Sequence, residues 1–261
     1  MPTLTSSPLA AAFYQALQYY HRRSNVDGHL QLPPGVTEAQ LDGFTHGVAD
    51  FAASVPGMNL LQAPSDPAAR EAFRDAIAAR TRDDIGQNAA QHVAAAVHLI
   101  HNPGIQALVQ KALNAAPPEF LTAPGCDPHH HPADEMNPGG LAQHTLRVTA
   151  MGAALCDKFN VQGEARDEIV AALVVHDIEK GGIPWNGYAK DHAPLGERFL
   201  ERVWADEPDR ARVDRIAHLV GMHKAQWNAP QPTPPTTLAE QIVSYADFLP
   251  NLDDVYFTPQ T

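Results

Sequence analysis

The sequence predicts an all-α globule. Three observations carry this. Apolar residues recur every three to four positions over most of the chain, alternation of the strand type is absent, and the one long stretch without a period is rich in Pro, Gly and His. At 261 residues the chain is long enough to bury a substantial core.

The elements follow in order. Residues 8–23 carry Leu9, Phe13, Leu17 and Tyr20 at helical spacing. Thr37, followed by Glu38 and Gln40, opens a second helix with Leu41, Phe44, Val48 and Phe51 on one face. Residues 66–80 and 84–101 are Ala-rich and full of good helix formers, and Gly104 to Ala116 reads as another short helix. From Pro117 the period disappears. This divides the chain into an N-terminal helical region (1–116), a Pro/His-rich connecting loop (117–136), a helical core (137–250) and a tail (251–261). The core contains five helical patterns, at 139–159, 164–179, 190–206, 209–224 and 236–249.

Composition excludes several functions. The net charge of -12 is spread over both halves, so neither is a basic domain, and broad contact with a phosphate backbone is disfavoured. Cys126 and Cys156 are too few for a disulfide framework or a thiolate zinc site. No run approaches the roughly 20 apolar residues of a membrane span. No basic segment precedes Leu9 to Phe13, which reads against a signal peptide. A soluble cytoplasmic protein is expected.

Imidazoles and carboxylates fall on the apolar faces of the core helices. His144 lies three residues after Leu141 and four before Val148. His176 shares a face with Ile169 and Leu173, His223 with Ile216 and Val220, and Asp247 follows Val243 by four. A single His in such a place is usually a satisfied core residue. Several together would cost several kcal/mol unless a shared cation relieved them. His192 stands near a helix start, from which it can lean over a neighbouring site. His218 competes with His223 but lies on a different stripe. The triplet His129, His130 and His131 reads as loop, and His92, His98 and His101 as structural.

The segments Gly139-Gly-Leu-Ala-Gln-His144-Thr-Leu, Val174-Val-His176-Asp177-Ile-Glu-Lys180, His192 with Leu195-Gly196, Ile216-Ala-His218-Leu-Val-Gly-Met-His223 and Ser244-Tyr-Ala-Asp247-Phe-Leu occur in that order. The set resembles the HD-domain metal-dependent phosphohydrolases over about residues 137–250. Its Gly-Gly-Leu-x-x-His-Thr-Leu opening looks most like the subgroup containing HD-type 3′–5′ exoribonucleases. The resemblance implies an HD-domain-like helical fold with one ion on His144, His176, Asp177 and Asp247. In binuclear members a second ion takes Asp177 as a bridge, with His192 and His223 here, or His218 in place of either.

The resemblance also implies that Asp177 is catalytic and that Lys180 faces the substrate phosphate. Arg147, one turn beyond His144, is a candidate phosphate contact or a solvated surface cation; Lys190 and Lys224 share that ambiguity. Glu179 departs from the family pattern, which has Gly at that place. Mixed His/carboxylate ligation suits Mn, Fe, Co, Ni or Zn better than Mg. The implied activity is hydrolysis of a nucleotide, cyclic nucleotide or other small phosphoester. Single-stranded nucleic acid is a less favoured partner given the charge, and the sequence does not set the oligomer. Two alternatives keep the same fold: a non-catalytic regulatory module and a di-iron oxygenase.

Overall fold

The computed structural model describes residues 58–62, 66, 68–69, 72–73, 75–76, 85–125, 133–224, 233, 235–248 and 255–259. The helices expected over 8–23 and 37–51, and the His129–His131 triplet, lie outside the described residues. The helical class stands. The described elements are β1 (Met58–Gln62), α1 (Ile85–His98), α2 (Pro103–Ala115), α3 (Glu119–Thr122), a 3-10 turn (Ala133–Met136), α4 (Gly140–Lys158), α5 (Gly163–Val175), α6 (His192–Val203), α7 (Arg210–Met222), α8 (Leu238–Phe248) and β2 (Val255–Pro259). Among the described residues no helix is long and apolar enough to cross a membrane.

Helices α4 and α5 are the centre. From Gly140 to Thr149 every residue of α4 is buried, and so is every residue of α5 from Arg166 to Val175. A helix buried all round must be covered on several sides. Helix α5 touches α4, α7, α2 and α8, while α4 is covered by α1, α8 and α3. The main core runs through Ile100, Val109, Met151, Leu155, Ile169, Leu173, Trp204, Ile216, Val220 and Ile242. A smaller cluster of Ala89, Val93, Phe120, Leu141 and Ala142 seals α1 and α3 onto the start of α4. Trp204, fully buried, donates its indole N–H to the Leu108 carbonyl at 2.9 Å and so ties the end of α6 to α2.

Three differences from the sequence reading have local causes. The stretch 117–136 is not all irregular: Glu119–Thr122 and Ala133–Met136 form single turns, too short to show a period. Helix α5 stops at Val175 rather than near residue 179. The N–H groups of Ile178, Lys180 and Gly182 bond three residues back, to Val175, Asp177 and Glu179, which tightens the chain into successive turns. Finally, β1 and β2 pair antiparallel from Met58↔Pro259 to Gln62↔Val255, so the segment read as a tail contributes a strand. Five-residue strands are shorter than an alternation test resolves.

Helix starts are chemically marked. Asn102 caps α2, accepting the N–H of Gly104 at 2.8 Å and of Ile105 at 3.3 Å, with Pro103 in the first turn. Helix α8, which carries Asp247, opens on a capping box. Thr237 Oγ1 accepts the Glu240 N–H at 3.2 Å, and Glu240 Oε2 accepts the N–H of Thr236 at 2.7 Å and of Thr237 at 3.2 Å. Burial would raise the Glu240 carboxyl, but the Thr236 N–H, His218 and the Thr237 N–H outweigh it and hold it below its usual value.

A carboxyl depressed on folding stabilises the protein above its unfolded pKa, and that contribution is lost as pH falls through the folded value. Glu240→Ala is therefore expected to cost about 1 kcal/mol at pH 7 in urea unfolding without added metal. The gap from wild type should narrow below about pH 4. An equal cost at both pH values would show that the charge on Glu240 contributes nothing.

Candidate metal centre

Six side chains converge between α4, α5, α6, α7 and α8. His144 comes from the second turn of α4 and His176 caps the C-terminus of α5. Asp177 begins the turns beyond it. His192 opens α6, His223 caps α7 and Asp247 lies in the last turn of α8. All four imidazoles and Asp177 are buried, and Asp247 is 18% exposed.

The imidazoles are oriented by one repeated device. Nδ1 of His176 bonds to the Leu173 carbonyl, Nδ1 of His192 to that of Ala189, and Nδ1 of His223 to that of Val220, each at 2.7 Å and each three residues back. Since a carbonyl only accepts, Nδ1 carries a proton and Nε2 is the nitrogen left to face the site. Those Nε2 atoms point at one another: His176 to His144 at 3.4 Å, and His192 to His223 at 3.1 Å.

Around them the carboxylates divide. Asp247 Oδ1 lies 3.1 Å from His144 Nε2 and 3.5 Å from His176 Nε2. Asp177 Oδ1 lies 3.0 Å from His192 Nε2 and 3.7 Å from His223 Nε2. Its Oδ2 lies 3.2 Å from His176 Nε2 and 3.6 Å from His144 Nε2. The result is two His/His/Asp groups, His144–His176–Asp247 and Asp177–His192–His223, each with its ligand atoms within 4.8 Å of one another. Six nitrogen and oxygen donors are thus crowded into a buried site whose close contacts are mostly with one another. Such crowding suits donors gathered at roughly 2 Å around a cation.

The electrostatics prepare these groups as ligands. Burial alone would raise both carboxyls, but His176 and Lys180 at Asp177, and His144 and His176 at Asp247, hold them well below their usual range. Burial pushes His223 down to about 3, which keeps it neutral as a ligand must be. At His176 burial is outweighed by the charge of Asp177, which lifts it to about 10, so without metal this imidazole holds a proton that a bound cation would displace.

Residues 141–252 match the family described as HD domain. The match covers 112 of the 261 residues and holds all six side chains of the site. The two His/His/Asp groups are the metal-ligand clusters typical of catalytic HD phosphohydrolases, and they fit one or two divalent ions. Over 172 residues the chain is 28% identical to the 3'-5' exoribonuclease YhaM of Oceanobacillus iheyensis. That stretch is 61% of this chain and 52% of the relative, so the chain spans about half the relative's length. No solved structure matches it.

The other residues singled out in the sequence fall into place around the HD site. Lys180 is buried, with Nζ 2.5 Å from Asp177 Oδ2. His218 stands apart from both clusters: its side chain is 52% exposed and its Nε2 meets Glu240 at 3.1 Å. Arg147 is no solvated cation. It is fully buried, and its guanidinium donates to Glu135 Oε1 at 2.8 Å. Glu179 is also buried, which raises its carboxyl, while the Arg202 guanidinium draws it back. Lys224 donates to the Tyr188 hydroxyl and to the Lys190 carbonyl.

Glu135 escaped the sequence reading because it lies in the stretch without a period. It is fully buried, with Oε2 3.1 Å from His144 Nδ1 and Oε1 on Arg147. A carboxylate behind a ligand imidazole fixes its tautomer and raises its basicity. The motif glycines admit it. Gly139 caps α4 in the left-handed region, at φ 84°. A Cβ on Gly140 would stand 1.8 Å from the Glu135 carbonyl oxygen. Glu135→Gln is expected to weaken metal binding about 10–100-fold in a chelator competition, with the folded state retained by circular dichroism. Unchanged affinity would assign Glu135 to pairing Arg147 alone.

Proposed function

We propose that the region 137–250 is a binuclear metal-dependent phosphohydrolase acting on a nucleotide-like phosphoester, with 1–116 as an N-terminal helical region whose helices α1 and α2 pack on that core and 117–136 as its connection. The observation that carries this is the split of Asp177. One oxygen belongs to each His pair, the geometry of a carboxylate bridging two ions. In the reading proposed, His144, His176 and Asp247 hold one ion and His192 and His223 the other, with Asp177 shared between them.

Divalent ions held in this way lower the pKa of bound water toward neutrality and polarise a phosphoryl oxygen. The chain's own groups supply the rest. The Nδ1–H bonds keep the ligand imidazoles from turning when substrate enters, so little reorganisation accompanies reaction. Lys180, tethered to the bridging carboxylate, sets a cation beside the place where phosphoryl oxygens would gather charge. Arg147 serves through Glu135 and not by touching substrate. Glu179 takes part in neither cluster among the described ion pairs and hydrogen bonds, so a carboxylate where the family has Gly is compatible with catalysis.

The exonuclease activity named for the relative gives a starting substrate, a short single-stranded RNA. That substrate belongs in a panel with nucleotides, cyclic nucleotides and simple phosphodiesters, each with Mn, Co, Ni or Mg. Metal-dependent turnover of at least one is expected, proceeding equally under nitrogen, and Asp177→Asn should reduce it to background. Turnover that survives Asp177→Asn would mean that the activity arises elsewhere. Turnover that requires oxygen would favour the di-iron reading.

A further inference from the structure

We propose that Tyr188 is a stacking platform for the nucleobase of the substrate, standing beside the Asp177–His192–His223 cluster; this rests on the phosphohydrolase reading and names its substrate as a nucleotide. Three observations carry it. The Tyr188 ring meets His192 edge-on, with ring centroids 5.4 Å apart, so an aromatic side chain touches a ligand imidazole directly. That ring is 45% exposed. Of the three large apolar side chains exposed among the described residues, two, Ile183 and Tyr188, lie in this one loop.

The third observation is the place of Lys224. Its Nζ is 2.7 Å from the Tyr188 hydroxyl and 5.2 Å from the ring centroid. The distance from ring centre to ammonium is close to that from ring centre to hydroxyl plus the hydrogen bond, so the three lie nearly in line. The cation therefore sits at the hydroxyl end, close to the ring plane, and does not cover a ring face. A half-exposed ring with a cation at its hydroxyl end and a metal ligand against it matches the base, the charge and the phosphate of a nucleotide. The spacing from ring to ligand is of the order that separates base from phosphate.

The platform is held in advance. The Asn186 N–H bonds to the Gly181 carbonyl and the Ala189 N–H to the Lys180 carbonyl, both at 2.8 Å, so the chain is pinned on each side of Tyr188. His192 Nδ1 bonds to Ala189 in turn, which links the loop to the ligand. An aromatic side chain held in this way loses little freedom on binding.

The test is calorimetric binding to the Mn-loaded protein of adenosine 5′-monophosphate against ribose 5-phosphate, which share a phosphate and a sugar and differ in the base. Should either be turned over, KM replaces Kd. Wild type is expected to favour the base-bearing ligand about tenfold. Tyr188→Ala should bring the ratio close to one while leaving ribose 5-phosphate affinity and metal content unchanged, and Tyr188→Phe should keep the preference.

The proposal is overturned if wild type does not discriminate, if Tyr188→Ala leaves the ratio unchanged, or if Tyr188→Ala weakens both ligands alike. A protein that hydrolyses phosphoesters yet binds the two ligands equally overturns the platform and leaves the hydrolase reading intact. One that prefers the base-bearing ligand through Tyr188 without hydrolysing any phosphoester supports the platform and overturns the hydrolase reading.

Discussion

The site depends on where a buried imidazole can place its Nδ1 proton. A metal ligand must keep Nε2 bare, so the other nitrogen needs an acceptor. Inside a helix the backbone carbonyls are already taken by N–H groups four residues on; only where a helix ends do carbonyls fall free. His176 and His223 stand at such ends, and each takes the carbonyl three residues back. His192 does the same in the turn that precedes α6. The ends of α5 and α7 and the start of α6 meet at the site, and there each ligand finds a carbonyl for its second bond. His144 is the exception that supports the rule. It lies within α4, away from either end, and its Nδ1 faces an imported carboxylate, Glu135.

Importing that carboxylate shapes the start of α4. Glu135 must come within contact of the helix's first residue, which requires Gly140, and the turn into the helix takes a left-handed backbone at Gly139. Arg147, one turn beyond the ligand on the same helix, neutralises the carboxylate at full burial. A buried ion pair of this kind adds little net stability, although removing one partner is costly. Its evident use is to hold an imidazole. Stability comes instead from the apolar surroundings of α4 and α5, with α7 further clamped onto α5 by Arg215 on Glu168 and Arg212 on Glu164.

What the sequence disclosed follows from this layout. Periodicity points to His144, His176, His223 and Asp247 because each sits on the face its helix turns inward. It separates His223 from His218, which the structure leaves facing solvent and Glu240. Periodicity is silent on Glu135, which lies on a single turn of 3-10 helix, and on the short strands. It also misleads at Arg147. The surface-cation role assumes that α4 has an exposed side at that position, whereas the helix is buried all round from Gly140 to Thr149. The end of α5 was placed too late because an apolar run does not record which carbonyl an imidazole will take.

Charge closes the argument. The chain is acidic, at -12, and an anionic substrate approaches against that field. Within the site Glu135 and Arg147 cancel, and the carboxylates Asp177 and Asp247 exceed Lys180 by one charge. In the proposed phosphohydrolase the ligand imidazoles would be neutral, and two divalent ions would leave a buried excess of positive charge that attracts a phosphate. On that reading metal binding would supply both the chemistry and the attraction for the substrate, and so reconcile a net charge of -12 with an anionic ligand.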